Sequence, residues 1–412
     1  MKHIYIIDEH ISSKQNGIGT YMKQIINCCK NENTEVNLIS YNDESDKFVL
    51  KYYESVKVYC VPFCGRGAFL KIGNLSFAVL KQYITDNKDN IFFVNHSPCV
   101  DFLKALKRYF PKSKIVFTIH DQGWTAPLLG NEKALIDILN RVPVKKEFRK
   151  NIRFIRKYFS EEKRMYKLVD AVVCLSESTY NLLQNVYNIE KDKIHLIPNA
   201  LQTNKKSENI INRNDARRIL NIDKDETILF YAGRIVRAKG IFELVKAFNS
   251  ISFFFPKARL VIAGEMHQQE EIVKFATNSI TKITFTGLIS QELMNLWYAV
   301  ADIGVHPSYT EQCSFTCLEM MKKIGLILTT DGLGLRDMFK NYKNAIVIHI
   351  PHNSDNMENE LTDNIIEGLK IVLNLGEETK ARLKENCKKD LQDKYSYERM
   401  MANYSKLMSS FN

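Results

Sequence analysis

The stretch at residues 227–240 reads TILFYAGRIVRAKG. Its first six residues form a nearly continuous apolar run, which is typical of a strand covered on both faces of a parallel sheet. The run ends at Gly233, and apolar residues at helical spacing begin at Ile241. The stretch therefore predicts a strand, a loop that carries Arg234 and Lys239, and a helix.

The same alternation of short apolar runs and helical spacing continues on both sides of this stretch. The runs before it are His3–Ile7, Val36–Ser40, Val56–Val61, Ile91–Asn95, Lys114–Ile119, Ala171–Leu175 and Ile194–Ile197. A second series comprises Thr227–Ala232, Arg259–Ala263, Ile283–Thr286, Ile303–Val305, Gly325–Thr329 and Ala345–Ile348. A polar stretch at 202–214 separates the two series. Two series of strand–helix units predict an α/β protein with two doubly wound domains that face a central cleft.

Composition and cysteine usage narrow the class of protein. The chain has 412 residues, of which 45% are hydrophobic and 25% charged, as in globular chains rather than disordered or coiled-coil ones. Its nine cysteines are scattered and never spaced C-x-x-C, which favours small buried side chains in a reducing compartment. The apolar run at 3–7 is shorter than a signal peptide requires, and no run reaches a membrane-spanning length. We therefore expect a cytoplasmic protein, or one peripheral to the inner face of the membrane.

A pair of glycines follows the first predicted strand. Residues 16–20 read NGIGT and precede a helix predicted from Tyr21. Glycines there let the backbone approach a ligand and present helix amino-terminal N–H groups. Met22 stands where a dinucleotide fingerprint would have its third glycine, so a plain tight turn explains these residues equally well.

Two cations flank the loop after residues 227–232. Arg234 and Lys239 lie five residues apart, and a helix follows. A diphosphate group needs such an arrangement, because Lys supplies a point charge, Arg supplies paired donors and the helix dipole adds to both. An ordinary solvated basic loop is the alternative.

The most specific stretch, residues 301–319, reads ADIGVHPSYTEQCSFTCLE. Glu311 and Glu319 stand eight residues apart, with Ser314 as a predicted helix cap. The two carboxylates could therefore face one cleft and touch different parts of a long ligand. Each accepts two hydroxyl hydrogen bonds at once, which suits a ribose diol or a sugar ring. The alternative is an unrelated acid near the cap and a surface glutamate.

Taken together, these motifs resemble the GT-B-fold retaining glycosyltransferases of family 4, and the resemblance covers nearly the whole chain. The residues that carry it are Gly233-Arg234, Lys239-Gly240, Ala263-Gly264, Phe285-Thr286-Gly287, Glu311 with Glu319, Ile197-Pro198-Asn199, and Ala301-Asp302 ahead of Pro307-Ser308. The resemblance implies a Rossmann-like acceptor-side domain at 1–201, a linker at 202–214 and a Rossmann-like nucleotide-sugar-binding domain at 215–390. Residues 391–412 would form a C-terminal helix that could cross back to the first domain.

The resemblance also implies an activity and site residues. The family moves a sugar with retention from a nucleoside-diphosphate sugar, of UDP or GDP type, to a hydroxyl of a glycan, lipid-linked or peptide acceptor. The implied catalytic residues are His120, Arg234, Lys239 and Glu311. The implied donor-binding residues are Gly17, Gly19, Gly233, Arg234, Lys239, Gly264, Ser314, Phe315, Thr316 and Glu319.

No further cofactor is expected. The acidic motif Asp223-Lys224-Asp225 precedes its predicted strand rather than following it, so we interpret it as a solvated turn and expect no required metal. Two rivals of the same fold remain. One is a catalytically silent homologue that acts as a partner subunit. The intact charged residues of the predicted site argue against this rival. The other is a nucleotide-sugar epimerase.

Three departures from the family pattern leave the donor base and sugar open. Gln312-Cys313-Ser314 stands where the family usually has Gly-Phe-Gly. Met266 replaces a common second glycine after Gly264, and Ala200 follows Asn199 where glycine is usual. None of these changes removes a charged group of the predicted site.

Most of the excess positive charge is local. Of the net +11, residues 141–167 hold eleven basic side chains against three acidic ones, a local charge of +8. Phe148, Ile152, Ile155 and Phe159 recur there at helical spacing. The segment is either a membrane or acceptor surface or a helix that packs its apolar stripe on its own core. The surface would include Lys145, Lys146, Arg149, Lys150, Arg153, Arg156 and Lys157. Nucleic acid is disfavoured, since no binding motif is present.

Overall fold

The computed structural model describes residues 1–8, 17–30, 33–43, 47–53, 56–62, 68–95, 99–201, 211–265 and 269–411. The chain divides into two compact units. One comprises Met1–Pro127, Glu132–Asn199 and Tyr397–Asn412, and the other Leu128–Asn131 and Ala200–Ser396. Most of the expected linker, from 202 to 210, and Met266 lie outside the described residues.

A largely parallel sheet of eight strands forms the described part of the first unit. The strands are β1 (Lys2–Asp8), β2 (Thr34–Asp43), β3 (Val49–Tyr53), β4 (Val56–Pro62), β5 (Asn90–Val94), β6 (Lys114–Thr118), β7 (Ala171–Cys174) and β8 (Ile194–Leu196). Their order is β3-β4-β2-β1-β5-β6-β7-β8, and only β3 is antiparallel to its neighbour. All seven predicted runs form strands. The sequence prediction missed β3 because this edge strand exposes its last three residues and has no continuously buried run.

Helices connect these strands. They are α1 (Gly17–Cys29), α2 (Ala68–Leu80), α3 (Val100–Tyr109), α4 (Glu132–Leu139), α5 (Lys146–Arg149), α6 (Ile152–Leu168) and α7 (Glu177–Asn185). The start of α7 shows why the chain turns helical there, since the Ser176 side chain accepts a hydrogen bond from the Thr179 N–H. Long apolar side chains of α3, such as Phe102 and Leu106, are fully buried.

The second unit contains a parallel sheet of six strands within the described residues. These are β9 (Thr227–Ala232), β10 (Ala258–Ala263), β11 (Ile283–Gly287), β12 (Ile303–His306), β13 (Ile327–Thr330) and β14 (Ile346–Ile348). Their order is β11-β10-β9-β12-β13-β14, so all six predicted runs are confirmed. All six strands are parallel, but consecutive strands are added toward one edge from β9 to β11 and toward the other edge from β12 to β14, so the switch point lies between β9 and β12. In doubly wound sheets, ligands bind at the carboxyl ends of the strands at this switch point.

The helices of the second unit are α8 (Arg213–Ile219), α9 (Ile241–Ile251), α10 (Gln269–Phe275), α11 (Gln291–Val300), α12 (Phe315–Lys323), α13 (Leu335–Met338), α14 (Met357–Leu373) and α15 (Glu377–Lys394). Side chains of α9 and α14 form one buried cluster with the sheet, including Leu244, Phe248, Ile365 and Leu369. Burial of each such side chain contributes about 1.5–3 kcal/mol. This cluster fixes the strand ends that carry the predicted site.

A final helix, α16 (Tyr397–Ser409), is part of the first unit. Its Tyr404 is fully buried, with the hydroxyl 2.8 Å from that of Tyr21 on α1. The segment expected as one C-terminal helix is thus divided, because α15 ends at Lys394 in the second unit. None of the helices within the described ranges is both long and apolar enough to cross a membrane.

Candidate functional site

Two glycines allow the strand ends of the second unit to approach one another. A Cβ on Gly264 would lie 1.9 Å from the Gly233 carbonyl oxygen, and one on Gly240 would lie 2.0 Å from the Pro307 carbonyl oxygen. Gly240 also has a φ of +63°, which glycine adopts without strain. Gly240 therefore permits the loop after β9 to close against the segment after β12.

Lys239 and Glu311 meet at this switch point. Lys239 ends a 3₁₀ turn before α9, and Glu311 lies between β12 and α12, yet Nζ of the lysine is 2.5 Å from Oε1 of the glutamate. Both side chains are largely buried, with 17% and 11% of their surface exposed. The structure thus brings together two of the predicted catalytic residues, which are 72 positions apart in the chain.

Two further side chains, which sequence reasoning missed, bind the same glutamate oxygen. Nε2 of His306 lies 2.8 Å from Glu311 Oε1, and the Ser308 hydroxyl donates to it over 2.9 Å. Both residues were visible in the sequence at the end of a predicted strand, where polar side chains signal a site. Nothing in the spacing showed that they point at Glu311.

The surroundings keep Glu311 ionised. Burial by itself raises the pKa of this carboxyl, but the charge of Lys239 and the hydrogen bond from His306 outweigh it, so the pKa lies well below its ordinary value. Oε1 accepts three hydrogen bonds, whereas no described residue donates to Oε2. Oε2 is the oxygen that can accept a hydrogen bond from a ligand.

Arg234 follows β9 directly, as predicted, and its side chain is exposed. Tyr231 fixes the backbone there, because its hydroxyl donates to the Arg234 carbonyl over 2.8 Å. The guanidinium forms no ion pair with any residue that the structure describes. Its paired N–H donors are thus available to an anion at the carboxyl end of β9.

The amino terminus of α12 completes this part of the site. Ser314 caps the helix, since its hydroxyl accepts from the Cys317 N–H, and this confirms the predicted cap. The N–H groups of Phe315 and Thr316 lie in the first turn, where helix amides have no partner within the helix and attract anions. Further along α12, the carboxylate of Glu319 accepts a hydrogen bond of 2.7 Å from the Tyr298 hydroxyl. That bond fixes one oxygen of Glu319.

In the first unit, Tyr21 contacts the predicted residue His120. Its hydroxyl lies 3.0 Å from the Thr118 hydroxyl at the end of β6, and its ring packs edge-on against His120 at 4.4 Å. Gly17 and Gly19 lie within α1, so the described part of the predicted glycine loop is helical, and Asn16 lies outside the described residues.

The basic segment 141–167 contains two helices, α5 and α6, rather than one. Phe148 and Ile155 of the apolar stripe are buried within the first unit, whereas Ile152 and Phe159 are half-buried. The cations remain on the surface. Lys146, Arg149, Lys150, Arg153, Arg156 and Lys157 are exposed and Lys145 is half-buried. Phe154 is 49% exposed among them.

No group of three or more His, Cys, Asp or Glu side chains in the described ranges is placed to hold a metal ion. The acidic motif at Asp223 and Asp225 lies in the turn before β9, where Asp225 pairs with Lys257 over 3.2 Å. This motif is at the amino end of the strand, opposite to the end that carries Lys239.

Known proteins resemble this chain in sequence and in fold. Residues 15–205 match the model of Glycosyltransferase Family 4, and residues 212–390 that of Glycosyl transferases group 1. An uncharacterised glycosyltransferase of Methanocaldococcus jannaschii is 27% identical over 234 residues, 55% of this chain and 56% of that protein. The chain thus spans about half the length of this curated relative.

Solved structures match over the whole chain. Sucrose-phosphate synthase from Thermosynechococcus elongatus has a TM-score of 0.72 at 17% identity, covering 100% of this chain and 99% of its own. An Anabaena protein in complex with UDP and glucose has a TM-score of 0.66 at 13% identity, covering 100% of both. Since the two family models together account for both units, the chain belongs to the glycosyl transferases group 1 family and has the GT-B fold.

Proposed function

We propose that this protein is a retaining glycosyltransferase that moves a sugar from a nucleoside-diphosphate sugar to a hydroxyl acceptor. The observation that carries the proposal is the pairing of Lys239 with Oε1 of Glu311, which leaves Oε2 to accept a sugar hydroxyl. Membership of the glycosyl transferases group 1 family, whose model covers this site, supports a nucleotide-sugar donor.

Each group has a role that follows from its position. Arg234, Lys239 and the first-turn amides of α12 would bind the diphosphate and stabilise the charge that develops on it. Glu311 would hold the transferred sugar, and Glu319 the ribose. For the first unit, we propose a donor-binding role for Gly17 and Gly19 and a catalytic role for His120. Since these cations supply the countercharge, the proposal requires no metal.

The reaction would proceed by front-face displacement. The bond between the sugar C1 and the diphosphate oxygen breaks, and the acceptor oxygen bonds to C1 on the same face. The proton of the acceptor hydroxyl passes to the departing phosphate oxygen, so no protein nucleophile is needed. Charge on the leaving group is largest in the transition state, where the preorganised cations act.

The first experiment tests donor binding and turnover. Thermal unfolding is followed with a panel of nucleoside diphosphates, and one of UDP or GDP should raise the melting temperature. Release of nucleoside diphosphate from the matching sugar donor, with water as acceptor, then measures turnover. Lys239→Ala and Glu311→Gln should each lower kcat/KM by about 100-fold or more. Lys257→Ala, a cation at the opposite end of the sheet, should change nothing.

The outcomes separate this function from its rivals. Turnover that survives Lys239→Ala or Glu311→Gln contradicts the assigned site. Binding of a nucleoside diphosphate without turnover of any donor indicates a silent homologue. A changed sugar on the nucleotide without transfer indicates an epimerase.

We also propose that the protein works in the cytoplasm with the basic face of α5 and α6 against an anionic membrane surface. The exposed cations with Phe154 at their centre support this, because each basic residue near such a surface contributes about 1 kcal/mol. Flotation with vesicles that contain phosphatidylglycerol should show binding that high salt abolishes. Lys146→Glu with Arg149→Glu should abolish it, and Lys257→Glu should not. Equal binding to neutral vesicles would contradict the proposal.

A further inference from the structure

His306 is a buried polar residue at the donor site to which neither the sequence motifs nor the proposed reaction assigns a role. It ends β12, next to the switch point, and only 2% of its surface is exposed. Neighbouring strands hold its position. The Thr329 hydroxyl donates to the His306 carbonyl over 2.9 Å, and the ring stacks on that of Tyr231 with centroids 6.3 Å apart. An imidazole fixed in this way can set the position of what it binds.

The hydrogen-bond partner of His306 shows which ring nitrogen carries a hydrogen. Nε2 lies 2.8 Å from Oε1 of Glu311, and an ionised carboxylate only accepts hydrogen bonds. Nε2 therefore carries a hydrogen and donates it. Burial disfavours the charged ring, but the adjacent Cys317 and Glu311 outweigh burial and raise the pKa of His306.

The three donors to Oε1 of Glu311 are on three different segments of the second unit. Lys239 approaches from the turn before α9, His306 from the end of β12, and Ser308 from the loop that follows. Lysine has a long, flexible side chain and by itself would not fix the orientation of the carboxylate plane. The imidazole and the hydroxyl are short and buried, so they restrict rotation of the carboxylate.

We infer that His306 is a positioning residue, which holds Oε1 of Glu311 so that Oε2 is directed at the donor sugar. The inference rests on the proposed function for its consequence, since Glu311 is the residue that would contact the sugar. It assigns His306 no contact with the nucleotide. His306 should therefore affect the sugar-dependent part of binding and catalysis and leave affinity for the nucleoside diphosphate unchanged.

The variants separate hydrogen bonding from packing. His306→Leu keeps the volume and removes the donor, so kcat/KM should fall by about 10- to 100-fold, with the dissociation constant for free nucleoside diphosphate within about twofold of the wild type. His306→Gln places an amide N–H near Nε2 and should restore most of the activity. Thr329→Val, on β13, removes the hydrogen bond to the His306 carbonyl, so it should lower the melting temperature and reduce kcat/KM by less than His306→Leu does.

Three results would overturn the inference. One is a His306→Leu protein as active as the wild type. Another is a loss of nucleoside diphosphate affinity equal to the loss of turnover, which would indicate general disruption of the site. A third is a folded His306→Gln protein as inactive as His306→Leu. If His306→Leu does not fold, Ser308→Ala removes another donor to the same oxygen. It should lower kcat/KM by a smaller factor and leave the affinity for nucleoside diphosphate unchanged.

A spectroscopic measurement tests the contact independently of activity. In protein with nitrogen-15-labelled histidine, the Nε2 hydrogen of His306 should exchange slowly with solvent, and Glu311→Ala should make its exchange fast. A wild-type protein that turns over no sugar donor would contradict the proposed function, while this measurement would still decide whether His306 holds Glu311. Unchanged exchange in Glu311→Ala would refute the contact itself.

Discussion

Replacing Glu162 by glutamine should stabilise the protein above neutral pH and leave its stability unchanged in mild acid. Glu162 is on α6 and only 1% exposed. Its Oε1 accepts the Gly123 N–H over 2.9 Å, and its Oε2 accepts the Tyr187 hydroxyl over 2.5 Å. These bonds tie α6 to the loop that follows His120, so the carboxyl supports one of the predicted site residues.

The size of the effect follows from the pKa. Burial raises the pKa of Glu162 from 4.5 to about 7, although the hydrogen bonds from Tyr187 and Gly123 oppose the rise. At about 1.4 kcal/mol per unit, holding the ionised carboxylate in the folded protein costs about 3 kcal/mol above pH 7. The pKa of Glu162 is higher in the folded protein than in the unfolded chain. The wild-type protein therefore has its full stability below about pH 4.5 and loses about 3 kcal/mol of it as the pH rises through about 7.

Glutamine keeps both contacts without the charge. Its amide oxygen accepts the Gly123 N–H, and the Tyr187 hydroxyl rotates to accept from the amide nitrogen. Glu162→Gln should therefore match the wild type near pH 4 and exceed its free energy of unfolding by up to about 3 kcal/mol near pH 8. Most of the pH dependence between these values should disappear.

Urea unfolding at both pH values measures the difference. The fluorescence of Trp124, in a Trp297→Phe background, reports the first unit alone. Glu161→Gln is the matched control, because the adjacent carboxylate keeps 37% of its side-chain surface exposed and pairs with Lys157 over 4.0 Å, and partly exposed pairs of this kind contribute little. Its effect should stay within about 0.5 kcal/mol at either pH. A Glu162→Gln protein that is no more stable than the wild type near pH 8 would refute the argument.

Three further predictions concern packing. Gly240→Ala should lower both the melting temperature and the affinity for nucleoside diphosphate, since the new Cβ meets the Pro307 carbonyl at 2.0 Å; unchanged values in a thermal shift assay would contradict this. Tyr404→Phe removes a hydroxyl contact with Tyr21 and should cost about 1 kcal/mol in urea unfolding, whereas no loss would show that the contact contributes nothing. Deleting 397–412 uncovers the buried face of the first unit and should lower its melting temperature by several degrees; an unshifted transition of Trp124 would count against it.

Much of the fold could be predicted because parallel strands buried on both faces appear as continuous apolar runs. All thirteen predicted runs form strands. One strand of the structure, β3, was not predicted. It is an edge strand whose Tyr52 and Tyr53 are exposed, so its sequence pattern resembles that of a loop. The sequence allows two interpretations of the basic segment, since helical spacing shows that one face is apolar and not what covers it. In the structure Phe148 and Ile155 of that face are buried within the first unit, and Ile152 and Phe159 are half-buried.

The sequence suggests individual residues of the candidate site but not how they are arranged. Arg234, Lys239, Ser314 and Glu311 could be named because polar side chains follow apolar runs, where parallel sheets place ligands. His306 follows an apolar run too, but its motif gave no reason to connect it with Glu311.

The order of the strands along the chain, the cap of α12 and the charges near the switch point can be inferred from the amino-acid sequence, because they depend on local patterns of side chains. The position of β12 beside β9 in the sheet is visible only in the folded protein. That pairing places His306, Ser308 and Lys239 around one oxygen of Glu311 and leaves the other oxygen for a ligand. Contacts between residues up to 72 positions apart depend on how the strands pair, which no local pattern specifies.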